Sequence, residues 1–131
     1  MSIKCLYPLA VAAVVGCATT GTGASRGSPN LLSAAEIAQH HADINTAYDA
    51  VARLRPNWLA PHGAMSSNPA ASDYAAVFVD GQLVGDVAAL RNIQAYYVGD
   101  IRYYDVTQAG ARFGFRAGSG GAIEVRMQSP K

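Results

Sequence analysis

The chain has 131 residues, of which 50% are hydrophobic and 15% charged, with a formal net charge of +1. That length holds one domain and leaves little room for a second. The near-neutral balance argues against a nucleic-acid binder, which carries a basic surplus or stripe. The charged fraction lies below the roughly 25% of an ordinary soluble domain, in part because Lys4 is the only charged side chain before Arg26.

Residues 1–17 read MSIKCLYPLAVAAVVGC: one Lys, an apolar run from Cys5 to Val15, then a small residue. A positive start, an apolar stretch of about 7–15 residues and a small-residue cut site describe an export signal. The run is too short for a membrane span, which needs roughly 20 apolar residues. Val14-Val15-Gly16-Cys17 resembles a bacterial lipobox, in which a small residue precedes a Cys that is lipidated and becomes the new N-terminus. The resemblance implies a signal peptide over residues 1–16 and a palmitate-type anchor on Cys17. An ordinary signal cut at a nearby Ala, or a buried apolar helix, is the plainer alternative. Cysteine usage fits the anchor: Cys5 leaves with the signal, Cys17 is acylated, and no stray thiol remains. Loss of Lys4 also takes the formal charge from +1 to 0. Ala18 in place of Asp resembles the sorting pattern of outer-membrane lipoproteins, with the inner membrane as the lesser option. Residues 17–30 then form the lipidated Cys and a small, polar, Gly-rich stretch without hydrophobic period, expected to be a flexible tether.

The domain is expected over residues 31–128. Ser33-Ala34-Ala35-Glu36 spells a capping box before a short helix, about 33–40. A second helix begins near Asn45 and presents Tyr48, Val51, Ala52 and Leu54 on one face, with Pro56 stopping it. Residues 56–72 read as a loop anchored by Trp58 and Leu59. Ala76-Val77-Phe78-Val79 runs into Asp80-Gly81, a strong hairpin signal, and residues 82–84 return. A short helix over 86–92 follows, with Asp86 as its cap. Ile101–Tyr104 and Ile123–Met127 alternate as strands, the latter with Glu124 and Arg126 on a polar outer face. Between them come a helical turn at 107–112 and a Gly-rich loop at 113–121. The sum is a small α+β domain: a mixed sheet with short helices and no internal repeats.

These words in this order resemble the plug domain of TonB-dependent outer-membrane receptors. Leu32-Ser33-Ala34-Ala35-Glu36-Ile37 is similar to the plug's opening segment, and residues 47–54, AYDAVARL, to the helix after it. Val77-Phe78-Val79-Asp80-Gly81 is similar to its strand and turn, and Asp100-Ile101-Arg102-Tyr103 to its next strand. Arg112-Phe113-Gly114 and Gly120-Gly121-Ala122-Ile123-Glu124-Val125 are similar to its closing words. Asp105-Val106-Thr107 departs from the plug's arginine-glycine-proline, Pro61-His62-Gly63 only echoes the isoleucine-arginine-glycine before its first main strand, and no TonB box is evident. A transmembrane barrel needs at least eight strands of about 10 residues, and none follows Met127, so transport by this chain alone is not expected. The resemblance implies a fold and a class of partner.

Catalytic chemistry finds little support. His40 and His41 are neighbours that point to different helix faces, a poor chelate, and with His62 they complete the 3 histidines. Zinc wants three or four ligands at workable spacing, so no metal or other cofactor is expected. Gly118-Ser119-Gly120-Gly121 leads into a strand and lacks a following Lys-Ser/Thr, so it reads as a tight loop and not a phosphate cradle. Asp80 reads as a turn former. In Tyr96-Tyr97 and Tyr103-Tyr104 one ring of each pair is expected inward and one outward. The outward rings, Tyr104 among them, form a candidate interaction patch with Arg91, Arg102, Arg112 and Arg116; Tyr and Arg are enriched at hot spots. The plainer reading is sheet chemistry, with Tyr104 placed by strand propensity and Arg102 paired across to Glu124.

The expectation is a non-enzymatic lipoprotein of the bacterial envelope, anchored by Cys17 in the outer membrane and facing the periplasm. Its plug-like domain would bind a ligand or an envelope receptor, and no nucleic acid. Alternatives are a structural plug-like relic, a small hydrolase around His62 with Ser66 or Asp73, and a fragment of a larger receptor.

Overall fold

A computed structural model describes residues 27–62 and 73–129. Cys17, the signal, the tether up to Arg26, and Ser66 with the rest of 63–72 lie outside them. The fold is a five-stranded mixed sheet with short helices on both faces, as the α+β reading requires.

Strand β1 (Leu31–Ser33) runs directly into helix α1 (Ala34–Gln39). Ser33 is both the last strand residue and the cap, its Oγ accepting the Glu36 N–H at 3.2 Å. Only half of the expected capping box forms. Glu36 turns instead to Arg55, which donates to Oε1 at 2.9 Å and Oε2 at 3.3 Å and ties the end of the second helix to the start of the first. The complete box sits one helix later. Thr46 caps α2 (Ala47–Leu54) by accepting from the Asp49 N–H at 3.2 Å, while Asp49 accepts from the Thr46 N–H at 3.0 Å. These bonds hold the Asp49 carboxyl below its usual pKa, Thr46's backbone N–H first and its hydroxyl second.

Helix α2 buries Ala47, Ala50 and Val51, while Tyr48, Ala52 and Leu54 are half-buried. The expected apolar face is therefore rotated: the small alanines and Val51 face the core, and the larger side chains flank them. A 3-10 turn (Pro56–Leu59) follows and seats Trp58, 1% exposed, against Tyr103 with ring centroids 5.8 Å apart.

Strand β2 (Ala76–Val79) turns through Asp80 (φ 49°) and Gly81 (φ 86°) into β3 (Gln82–Gly85). Two successive positive φ angles are what Asp-Gly supplies to a two-residue hairpin. Asp80 does more: its carboxylate accepts the Met127 N–H at 3.1 Å and ties the turn to the last strand. The expected helix over 86–92 is a 3-10 segment (Val87–Asn92), with Asp86 accepting from the Ala88 N–H at 2.9 Å. A second 3-10 turn (Ala95–Tyr97) leads into β4 (Val98–Tyr104), which starts three residues earlier than the alternation of 101–104 suggests. A register shift between Val98 and Asp100 hides that start.

Helix α3 (Val106–Phe113) is capped by Asp105, which accepts the Gln108 N–H at 2.8 Å. After a 3-10 turn (Gly114–Ala117) comes β5 (Ala122–Met127). The Gly-rich run is there for steric reasons: Gly121 has φ 82°, and a Cβ on it would lie 2.6 Å from the Tyr104 carbonyl oxygen. The strand order is β1-β4-β5-β2-β3, parallel only between β5 and β2.

The two faces of this sheet differ. One packs Leu32, Val77, Val98, Ile101, Ile123 and Val125 against α1, α2 and Trp58, the larger core. The other was expected to be polar and solvated. It is covered: Ala109 and Phe113 of α3 pack on Phe78, Ala122 and Tyr104, with the Phe78 and Phe113 rings stacked at 3.9 Å. Glu124 is consequently 3% exposed. No helix among the described residues is long and apolar enough to cross a membrane.

Candidate functional site

The covered polar face positions the most organised set of charged side chains. Strand alternation puts Asp100, Arg102 and Tyr104 of β4 on the same side as Glu124 and Arg126 of β5, with Arg102 directly opposite Glu124. The expected Arg102–Glu124 pair does not form. Arg102 turns along its own strand, its Nε 3.5 Å from Asp100 Oδ1, and both atoms are buried without a hydrogen bond.

Glu124 is taken by others. The Tyr104 hydroxyl donates to Oε2 at 3.0 Å. Arg112 of α3 donates from Nη2 to Oε1 at 3.2 Å and sits equally close to Oε2. Arg126 stands 4.0 Å away. A buried carboxylate costs several kcal/mol unless paired and hydrogen-bonded, and these contacts supply both. The Arg112 guanidinium also lies over the Tyr104 ring at 5.4 Å and the Phe113 ring at 5.5 Å. Glu124 raises the Arg112 pKa, through the hydrogen bond first and its charge second. Burial, then the hydrogen bond to Glu124, raises the Tyr104 pKa.

In front of this network lies an open groove of about 800 Å³. It is lined by Ser28, Asn30 and Leu31 leading into β1, by Arg102, Tyr103 and Tyr104 of β4, and by Gln108, Ala111 and Arg112 of α3. Among the described residues that line it, the charged ones are the two arginines. Their carboxylate partners sit behind them, the Glu124 side chain 4% exposed and that of Asp100 27%.

Of the expected patch, Arg102, Tyr104 and Arg112 come together here. Arg91 does not: it lies on the other side of the sheet, over the Tyr48 ring at 4.4 Å. Arg116 does not line this groove either, but a smaller pocket of about 240 Å³ with Tyr74 and Leu83. Tyr96 and Tyr97 also depart from expectation. Both are exposed, 82% and 53%, and pack edge to face on each other because the 3-10 turn carries them off the sheet. The sequence reading missed Glu124 as the centre of the site, and Arg126, Asp100 and Gln108 around it. The available signal was Ala109 with Phe113, an i, i+4 apolar pair that demands a surface to cover.

His41 and His62 have backbone partners. His41 Nδ1 meets the Ala38 carbonyl at 2.8 Å, and His62 Nε2 meets the Asn57 carbonyl at 2.7 Å with its ring 5.5 Å from Tyr103. His62 touches Asp73 through the backbone, its N–H donating to the Asp73 carbonyl at 2.6 Å. No group of three or more His, Cys, Asp or Glu side chains is placed to hold a metal ion among the described residues. No protein-family model, no curated protein and no solved structure matches the chain.

Proposed function

We propose that this chain is a non-catalytic binding module of the bacterial envelope: a lipoprotein anchored through Cys17 that carries a plug-like α+β domain into the periplasm. The observation that carries the binding reading is the groove between β4 and α3, whose charges among the described residues are Arg102 and Arg112. Arginine held in place by a buried carboxylate and lying over aromatic rings is pre-organised for recognition, so little side-chain entropy is lost when a ligand or partner docks. The anchor reading is supported by the lipobox-like Val14-Val15-Gly16-Cys17 and by a sequence with no other Cys once Cys5 is removed. The similarity of five sequence words to receptor plugs supports an envelope receptor or transport system as the partner class.

Metabolic palmitate labelling tests the anchor: wild type takes up label and Cys17→Ser does not. Label retained by the mutant contradicts it. Purification from native membranes and thermal melting test the binding reading. Wild type is expected to co-purify with an envelope protein or to melt higher with a small ligand, and Arg102→Gln to do neither. No partner and no melting shift in the wild type contradicts it.

A further inference from the structure

We propose that the groove between β4 and α3 binds one phosphate group, presented by a lipid headgroup or by a free phosphate ester. This names the ligand class of the binding surface above and rests on that reading. The polar side chains of Ser28, Asn30, Arg102, Gln108 and Arg112 in the groove each offer N–H or O–H donors, and no carboxylate stands in the lining among the described residues. A cluster of donors without a competing acceptor charge is the complement of an oxyanion.

The two guanidiniums are available in different ways. The Arg102 side chain donates no hydrogen bond among the described residues: its Nε is buried 3.5 Å from Asp100 Oδ1, an ion pair only, and the side chain is 41% exposed. Arg112 spends Nη2 on Glu124 and is oriented by it and by the Tyr104 and Phe113 rings, which leaves its other N–H groups for a ligand. The donors come from three separate elements, the lead-in to β1, strand β4 and helix α3. A tetrahedral phosphate, with up to two negative charges and three oxygens spread in space, can meet donors arriving from three sides at once, whereas the acceptor sites of a carboxylate lie in one plane. Ser28 stands 11 residues after Cys17, a reach of at most about 40 Å, so an anchored domain holds this groove within range of phospholipid headgroups.

The test follows the Arg Nε–H signals by NMR in the full chain, held in uncharged maltoside micelles. The probes are inorganic phosphate, dihexanoylphosphatidylglycerol and acetate. Saturable shifts of Arg102 and Arg112 are expected with both phosphate probes and not with acetate. Affinity should fall about tenfold in Arg102→Gln, one charge-assisted hydrogen bond's worth. In Gln108→Ala, which leaves the buried network intact, it should fall about threefold. Tighter binding of the lipid assigns a headgroup, and equal binding a free phosphate ester. Unsaturated shifts with every probe, acetate binding as well as phosphate, or unchanged affinity in both variants overturns the proposal. A photo-crosslinker at Gln108 separates the two failures. Specific capture of an envelope partner without phosphate binding overturns the ligand class alone, and absence of both overturns the binding reading as well.

Discussion

The two faces of the one sheet solve the same burial problem with different chemistry. The face under α1 and α2 is closed by Trp58, Leu32, Ile101 and Val125, all at 0–1% exposure and all apolar. The face under α3 buries Phe78, Ala109 and Ala122, and beside them a carboxylate. Hydrophobic burial is the main support of the first, whose buried side chains carry no charge. The second needs Tyr104 and Arg112 to satisfy Glu124, and so it must bring charged groups to its rim. A groove that recognises something belongs on the second face for that reason.

The largest expected effect breaks the apolar face. Trp58→Ala should cost about 3–5 kcal/mol, a large share of the stability of a domain this size. Urea unfolding followed by circular dichroism checks it; a shift in midpoint worth less than about 1 kcal/mol would mean the Trp58–Tyr103 stack does not hold this core. Glu124→Ala breaks the other face by leaving Tyr104 and Arg112 without their acceptor, at about 1–3 kcal/mol. That value is kept low because the Arg112 side chain is 43% exposed and regains water.

Tyr104 gives the polar face a pH signature. Its pKa in the folded state is raised above 10.0, by burial and then by Glu124. A group with a raised folded-state pKa adds stability below its unfolded value and loses it as pH rises through the folded one. Stability should therefore fall above about pH 10, and more steeply in wild type than in Tyr104→Phe. Parallel profiles for the two proteins would remove Tyr104 from the network.

Smaller effects lie at the edges of the apolar face. Thr46→Ala removes the capping box of α2 at about 1 kcal/mol. Asp49, with a lowered pKa, contributes stability above 3.8 that is lost as pH falls below that value. The acid limb of the stability profile should flatten in Asp49→Asn. At the bottom of the scale, Arg53→Ala should change stability by less than about 0.5 kcal/mol. Its pair with Asp43 is 3.5 Å long and both side chains are more than half exposed.

The same contrast explains what could be read from the sequence. The Asp80-Gly81 turn, the strands at 101–104 and 123–127, and the anchoring role of Trp58 were legible because each rests on a local rule of period or turn geometry. Strand β1 was not, since three residues carry no period. The early start of β4 was hidden by Gly99 and the register shift beside it. Glu124 was misread as solvated because alternation reports that two faces differ, and says nothing of whether a later helix covers the polar one. Arg102, Tyr104 and Arg112 were picked out by residue type; Arg91 was grouped with them because composition cannot tell one side of a sheet from the other, and Arg116 because composition cannot tell one end of a face from the other.

The most direct test of the central claim compares the two faces in living cells. A photo-crosslinking amino acid is placed at Gln108, in the groove, or at Arg53, on the α2 side, in the otherwise wild-type chain. The account predicts a discrete adduct from Gln108 that is lost when Arg102→Gln is added, and none from Arg53. Adducts of equal yield from both positions, or none from Gln108 in a chain that also shows no saturable phosphate binding, would contradict a binding surface on the polar face.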